Sequence, residues 1–154
     1  MHFTRLTPLA LVLIAFSFIG CSSSPRAQKS INFTKVYVET PQTSDFSNAM
    51  QFNSTVIETA QGELRSHGYT VTQSKADADA TLRSTWRISH NRNSLHKDEV
   101  SVSLSMTLFN KQGQRVFSGD SGSAVPIGFW SVAKTATAVD SVLSQLPLAS
   151  APAK

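Results

Sequence analysis

Two stretches of strict alternation constrain this chain more than anything else in it. Ala80, Leu82, Ser84, Trp86 and Ile88 alternate with Thr81, Arg83, Thr85, Arg87 and Ser89. Further on, Val100, Val102, Leu104, Met106 and Leu108 alternate with Ser101, Ser103, Ser105 and Thr107. A strand turns successive side chains to opposite faces, so this period of two predicts two strands, each with one apolar and one polar side. Antiparallel strands covered on one face and solvated on the other carry that pattern, whereas the strands of a parallel sheet are apolar on both. The polar segment from His90 to Asp98 joins the two runs and reads as the tip of a long hairpin.

The flanking segments complete the fold class. The stretch from Phe33 to Thr40 is rich in β-branched and aromatic residues and stops at Pro41, which predicts a strand. Phe46, Ala49, Met50, Asn53, Val56, Ile57, Ala60 and Leu64 then recur at three- and four-residue spacing. That spacing predicts a helix with one apolar stripe, capped by Ser44 or Asp45 and ended by His67-Gly68. Tyr69 to Thr72 is a short strand. Lys111 to Gln114 predicts a turn into a strand from Arg115 to Ser118, whose inward residue is either Val116 or Phe117. Val132, Ala136, Val139, Leu143 and Leu146 make a second helical stripe between a cap at Ser131 and a stop at Pro147. The expected fold is α+β, with two helices packed on one face of a mostly antiparallel sheet of about five strands, a two-layer sandwich.

A chain of 154 residues, 40% of them hydrophobic, has room for one domain with a packed core. The domain is expected over residues 31–147, behind a polar tether at 21–30 and ahead of a disordered Pro/Ala tail at 148–154. The single Cys excludes a disulfide framework and a Cys-based zinc site. A formal net charge of +4 without a clustered basic face excludes the footprint of a nucleic-acid binder.

Several groups of residues are candidates for function. Arg83 and Arg87 lie four apart on one strand, so both point outward, ~13 Å from each other. Such a face could hold phosphate- or carboxylate-bearing glycans or glycolipid, because a guanidinium matches these groups with two hydrogen bonds. A solvated sheet face explains the same residues and is preferred. His90, Arg92 and His96 on the hairpin tip form a candidate contact loop for a protein partner, and two His without a third ligand nearby do not make a metal site. Ile127-Gly128-Phe129-Trp130 is either an exposed aromatic anchor or a staple at the start of the last helix, the staple being preferred. Asp77 and Asp79 sit at a strand entry beside Lys75, which accounts for them without acid–base chemistry. No Gly-x-Ser-x-Gly, His-Glu-x-x-His or phosphate-loop motif is present, and a non-enzymatic protein without cofactors is expected.

The N-terminal residues 1–20 carry Arg5, no acid and an apolar run from Leu9 to Ile19. The run falls short of the roughly 20 apolar residues a spanning helix needs and has the marks of a secretory signal. It ends in Phe18-Ile19-Gly20-Cys21, which resembles the lipobox of bacterial lipoproteins, with Phe18 where Leu is usual. The resemblance implies removal of residues 1–20 and acylation of Cys21. Ordinary signal cleavage, leaving a thiol, is the alternative. Ser22 after the Cys, where Asp would favour the inner membrane, implies the outer membrane and its periplasmic face.

The domain is similar to a family of uncharacterised single-domain bacterial lipoproteins. The likeness lies in Leu64 with Gly68-Tyr69 at a helix end, Ala78-Asp79 at a strand entry, the long polar hairpin from Trp86 to Phe117, and Leu146-Pro147 closing the last helix. The layout also looks like the lipopolysaccharide-assembly lipoprotein of the outer-membrane translocon, although Ser22-Ser23-Ser24 replaces that family's glycine-aromatic string. These resemblances transfer a role to Cys21 alone. The expected function is that of a lipid-anchored envelope protein that binds a protein partner as an assembly or accessory factor. A binder or carrier of an amphipathic ligand such as glycolipid is the alternative.

Overall fold

The computed structural model describes residues 31–43, 49–92, 98–122 and 124–150, with the backbone alone at 91, 92 and 98. In chain order the elements are β1 (Lys35–Val38), α1 (Met50–Ser66), β2 (Thr70–Thr72), β3 (Ala80–Arg92), β4 (Asp98–Asn110), β5 (Arg115–Asp120) and β6 (Val125–Pro126). A 3-10 turn (Ile127–Phe129) and α2 (Val132–Leu143) follow.

The alternating runs form the expected hairpin. β3 and β4 pair antiparallel along their whole length, from Ala80 opposite Asn110 to Arg92 opposite Asp98, an arm roughly 40 Å long at the usual rise per residue. Leu82 faces Leu108, Ser84 faces Met106 and Trp86 faces Leu104, and all six are buried. A slip of one residue would turn Arg83 and Arg87 into this apolar face, so the sequence pattern excludes every odd slip of the register. Ser101 and Ser105 on the opposite side of β4 are buried as well.

The rest of the sheet corrects the expectation of a mostly antiparallel sheet of five strands. It has six strands and is mixed, in the order β2-β1-β3-β4-β5 with β6 beside β4. β1 runs parallel to both β2 and β3. Adjacent strands in the same direction need a crossover of roughly a dozen residues or more, and α1 is that crossover between β1 and β2. β5 and β6 share one edge of β4, pairing with residues 105–109 and 101–102 respectively. Between them Ser121 donates its N–H to the Leu104 carbonyl and accepts the Leu104 N–H on its hydroxyl. Gly122 then turns the chain at φ +84°.

The open choice between Val116 and Phe117 ends in a bulge. Leu108 faces Phe117 while Phe109 faces Arg115, so Val116 is the extra residue on β5. Phe117 shares the inward side of Leu108, and Val116 packs partly buried against the same core.

Both helices bury a stripe, and each stripe is rotated somewhat from the expected one. On α1 the buried residues are Phe52, Val56, Ala60 and Leu64, while Met50 is 81% exposed. On α2 they are Thr135, Ala138, Val139, Val142 and Leu143, and Val132 points to solvent. These stripes join the apolar side of the sheet in one hydrophobic cluster. Each aliphatic side chain buried there is worth about 1.5–3 kcal/mol relative to exposure. β5 and α2 come close together at Gly119, where an added Cβ would lie 2.8 Å from Val142 Cγ1.

The helix ends follow the chemistry of the sequence. Ser131 caps α2 by accepting the Lys134 N–H. At the end of α1, Gly68 adopts φ +86° and donates to the Arg65 carbonyl, while the Tyr69 N–H reaches back to Leu64. This pair of bonds closes the last turn as a Schellman motif, which only a glycine enters without strain. The residues after α2 fold back onto this corner. Tyr69 Oη donates to the Pro147 carbonyl, His67 Nδ1 lies 2.8 Å from the Leu146 carbonyl, and the Ala149 N–H donates to His67. The expected helix start at Ser44, Asp45 and Phe46 lies outside the described residues.

Candidate functional site

The outward side of the sheet carries a charged cleft whose members come from four separate segments. Glu39 follows β1 directly, and its N–H still donates to the Leu82 carbonyl. Because Val38 and Leu82 are partners in register and face inward, their successors Glu39 and Arg83 stand side by side on the outer face. Arg83 Nε donates to Glu39 Oε2 at 2.9 Å, and its guanidinium lies 5.2 Å from the centre of the Phe109 ring, a cation–π contact.

Lys75 reaches the same carboxylate. β2 and β3 flank β1 on opposite sides, so the segment linking them must cross β1, and this brings Lys75 Nζ to 2.5 Å from Glu39 Oε1. One carboxylate therefore serves two cations. The hydrogen bond from Lys75, with the charge of Arg83, holds the Glu39 carboxyl below its usual pKa despite the burial that opposes this. At the strand entry Asp79 accepts the Lys35 N–H at 3.3 Å and pairs with Lys111 at 3.5 Å.

These groups border a cleft of about 420 Å³ lined by Lys75, Asp79, Thr81, Arg83, Phe109 and Lys111. A second cleft of about 340 Å³ shares Asp79, Asn110 and Lys111 with it and continues to Phe33 and Val116. The Asn110–Gln114 turn shapes the junction. The Asn110 side chain accepts the N–H groups of Gln112 and Gln114, and Gly113 takes φ +73°.

Of the residues expected to bind a partner, Arg83 alone lies in the cleft. Arg87 points to the same side, as its spacing implied, but is exposed and faces Asp120 at 3.6 Å. An ion pair this exposed contributes little. His90 is exposed on the distal part of β3. Arg92 ends β3 opposite Asp98 in the backbone ladder. His96 and Cys21 lie outside the described residues. Among the described residues, no three His, Cys, Asp or Glu side chains are placed to share a metal ion, and no helix is long and apolar enough to cross a membrane. Sequence reasoning missed Glu39, Phe109 and Lys111. Nothing local marks them, because the topology alone makes them neighbours of Arg83.

The aromatic string before α2 divides between its two readings. Trp130 is the staple: its ring meets Trp86 edge-on at 5.5 Å, and its Nε1–H donates to the hydroxyl of buried Thr135. Phe129 is 71% exposed, and Ile127 and Val132 beside it in the chain are exposed too.

No family model matches the chain, and no curated protein matches it. Among solved structures, the fold is similar to that of the PelC dodecamer from Paraburkholderia phytofirmans in two crystal forms. One has a TM-score of 0.51 at 20% identity, covering 79% of this chain and 92% of that one. The other has a TM-score of 0.50 at 18% identity, covering 80% and 95%. Lipoprotein GNA1162 from Neisseria meningitidis is more distant, with a TM-score of 0.45 at 16% identity over 73% of this chain and 97% of that one. At such identities the PelC likeness is one of fold, a small α+β domain.

Proposed function

We propose that this chain is a lipid-anchored, periplasm-facing envelope protein, bound to the outer membrane through Cys21, that acts without catalysis as a partner-binding or assembly accessory factor. The observation that carries the reading is the exposure of three large apolar side chains within six residues, Ile127, Phe129 and Val132, at the start of α2. Where such side chains form a contiguous apolar surface, they mark a contact site. The lipobox-like string ending at Cys21 supports the anchor. A carrier of glycolipid would need space between the helices and the sheet, and that region is occupied by Leu64, Leu82, Leu104, Leu108, Val139 and Leu143, all fully buried. The direction of β3 supports the accessory role. It starts beside the first residues of β1 and runs away from them, so a domain tethered by its N-terminus would present the hairpin arm away from the bilayer.

The test is membrane fractionation and crosslinking of the wild-type, Cys21→Ala and Phe129→Ser proteins. The wild type is expected in the membrane fraction with one envelope protein crosslinked through a photoreactive group at Val132. Cys21→Ala should leave the membrane, and Phe129→Ser should stay there but lose the crosslink. If Cys21→Ala still sediments with membrane, the anchor is wrong, and an unchanged crosslink in Phe129→Ser removes the patch from the interface.

A further inference from the structure

We infer that the cleft around Arg83 is a binding site for the carboxylate of an acidic saccharide. This stands apart from the apolar patch and from the lipid anchor. Arg83 is held in place from two sides, by Glu39 at Nε and by the Phe109 ring beneath the guanidinium plane. Its two Nη groups make no hydrogen bond among the described residues. A guanidinium fixed in this way keeps its fork for a ligand, and a carboxylate accepts such a fork with two bonds.

The charge distribution agrees. The acids are the less exposed members of each pair, Glu39 at 20% and Asp79 at 37%, against 40% for Arg83, 57% for Lys111 and 58% for Lys75. The cations are thus the more accessible members of each pair, and the carboxylates hold them in place. The three cations against two acids make this group net positive, which favours an anionic ligand.

The walls suit a sugar. Ala76, Thr81 and Phe109 give the first cleft apolar surface beside its charges, and the second cleft extends the groove past Asn110 and Lys111. Ligand pockets combine apolar walls with a few placed polar groups, a mixture that suits a sugar with its C–H faces and hydroxyls. The two clefts share Asp79, Asn110 and Lys111, so a ligand of several linked sugar residues would reach both.

The experiment is a titration of the full chain in detergent micelles with hexagalacturonate and with neutral maltohexaose, followed by amide chemical shifts. Hexagalacturonate is expected to move signals in 75–83 and 109–113, and maltohexaose to bind at least tenfold more weakly. Arg83→Gln should weaken hexagalacturonate binding at least tenfold. Lys111→Gln, on an exposed turn where folding is not at stake, should weaken it about threefold, in line with one screened charge contact. Equal binding of the two oligosaccharides, shifts confined to other regions, or unchanged affinity in Lys111→Gln and a folded Arg83→Gln would overturn the assignment. Single sugars test the anion itself, and tighter binding of glucose 6-phosphate than of glucuronate would overturn the carboxylate.

Discussion

Replacing Gly119 by Ala tests whether α2 sits on the sheet as closely as described. Gly119 lies on β5, and a Cβ there would fall 2.8 Å from Val142 Cγ1, 3.4 Å from Phe117 Cζ and 3.7 Å from the Val142 carbonyl oxygen. Carbon atoms rest comfortably at about 3.5–4.0 Å, so either Val142 or α2 itself has to move. Val142 is fully buried and has little freedom. Overpacking of this kind costs about 1–3 kcal/mol. Against it stands the backbone entropy that Ala saves over Gly inside a strand, about 0.5–1 kcal/mol. The net expectation is a destabilisation of about 1–2 kcal/mol, a fall in Tm of roughly 3–8 °C for a domain of this size. Urea unfolding of Gly119→Ala, Val142→Ala and the double variant would measure it. Each single variant is destabilised, but Val142→Ala opens the space that the new methyl needs. The double variant is therefore less destabilised than the singles combined, by about 1 kcal/mol. A stabilised Gly119→Ala, or additive effects in the double variant, would refute the close approach.

Three further outcomes follow from single side chains. The Ser84 hydroxyl is buried in the apolar face without a hydrogen-bond partner among the described residues, so Ser84→Ala should raise stability by about 1 kcal/mol, and a loss of stability in urea unfolding would show that the hydroxyl is satisfied. Thr135 accepts the Trp130 Nε1–H and donates to the Ser131 carbonyl. Thr135→Val leaves that indole unpaired at a cost of about 1–3 kcal/mol with altered tryptophan fluorescence, and an unchanged emission spectrum and midpoint would refute it. Glu39 has its pKa lowered from 4.5, so folding favours its charged form. Its contribution is present above that value and is lost as pH falls through the lower folded-state pKa. Glu39→Gln should flatten the acid limb of the urea midpoint between pH 6 and 3, and an identical limb in both proteins would show that the cluster adds nothing.

What the sequence revealed follows how local each signal is. The alternation of Ala80–Ser89 against Val100–Leu108 contains the parity of the β3–β4 register, because a slip of one residue would put the two apolar sets on opposite sides while a slip of two would not. Gly68, Ser131 and Pro147 mark helix ends through backbone chemistry that acts within a few residues. The stripes were less legible. Met50 and Val132 satisfy the helical period by themselves, and the weight that Phe52 and Thr135 carry depends on Trp86 and Trp130, which are distant or outside the helix. The direction of β1 could not be read, since four residues of strand look alike in either sense. The charged cleft was hidden for the same reason on a larger scale. Glu39 meets Lys75 across 36 positions and Arg83 across 44, and the crossing of β1 that unites them is a property of the strand order alone.

The shared edge of β4 bears on solubility. A long, flat, unpaired strand is a template for adding another chain, and proteins guard against it with short or twisted edges. Here the outer edge is divided between β5 and the two residues of β6, with Ser121 and the left-handed Gly122 in the break, while β2 at the opposite edge is three residues long. Both borders are thereby kept short, the longest run being the six residues of the bulged β5. The arm differs: among the described residues no strand pairs with β3 on its β1 side beyond the bridge from Gln42 to Thr85. Among the described residues, the arm is therefore the longest border on which a neighbouring chain could extend the sheet.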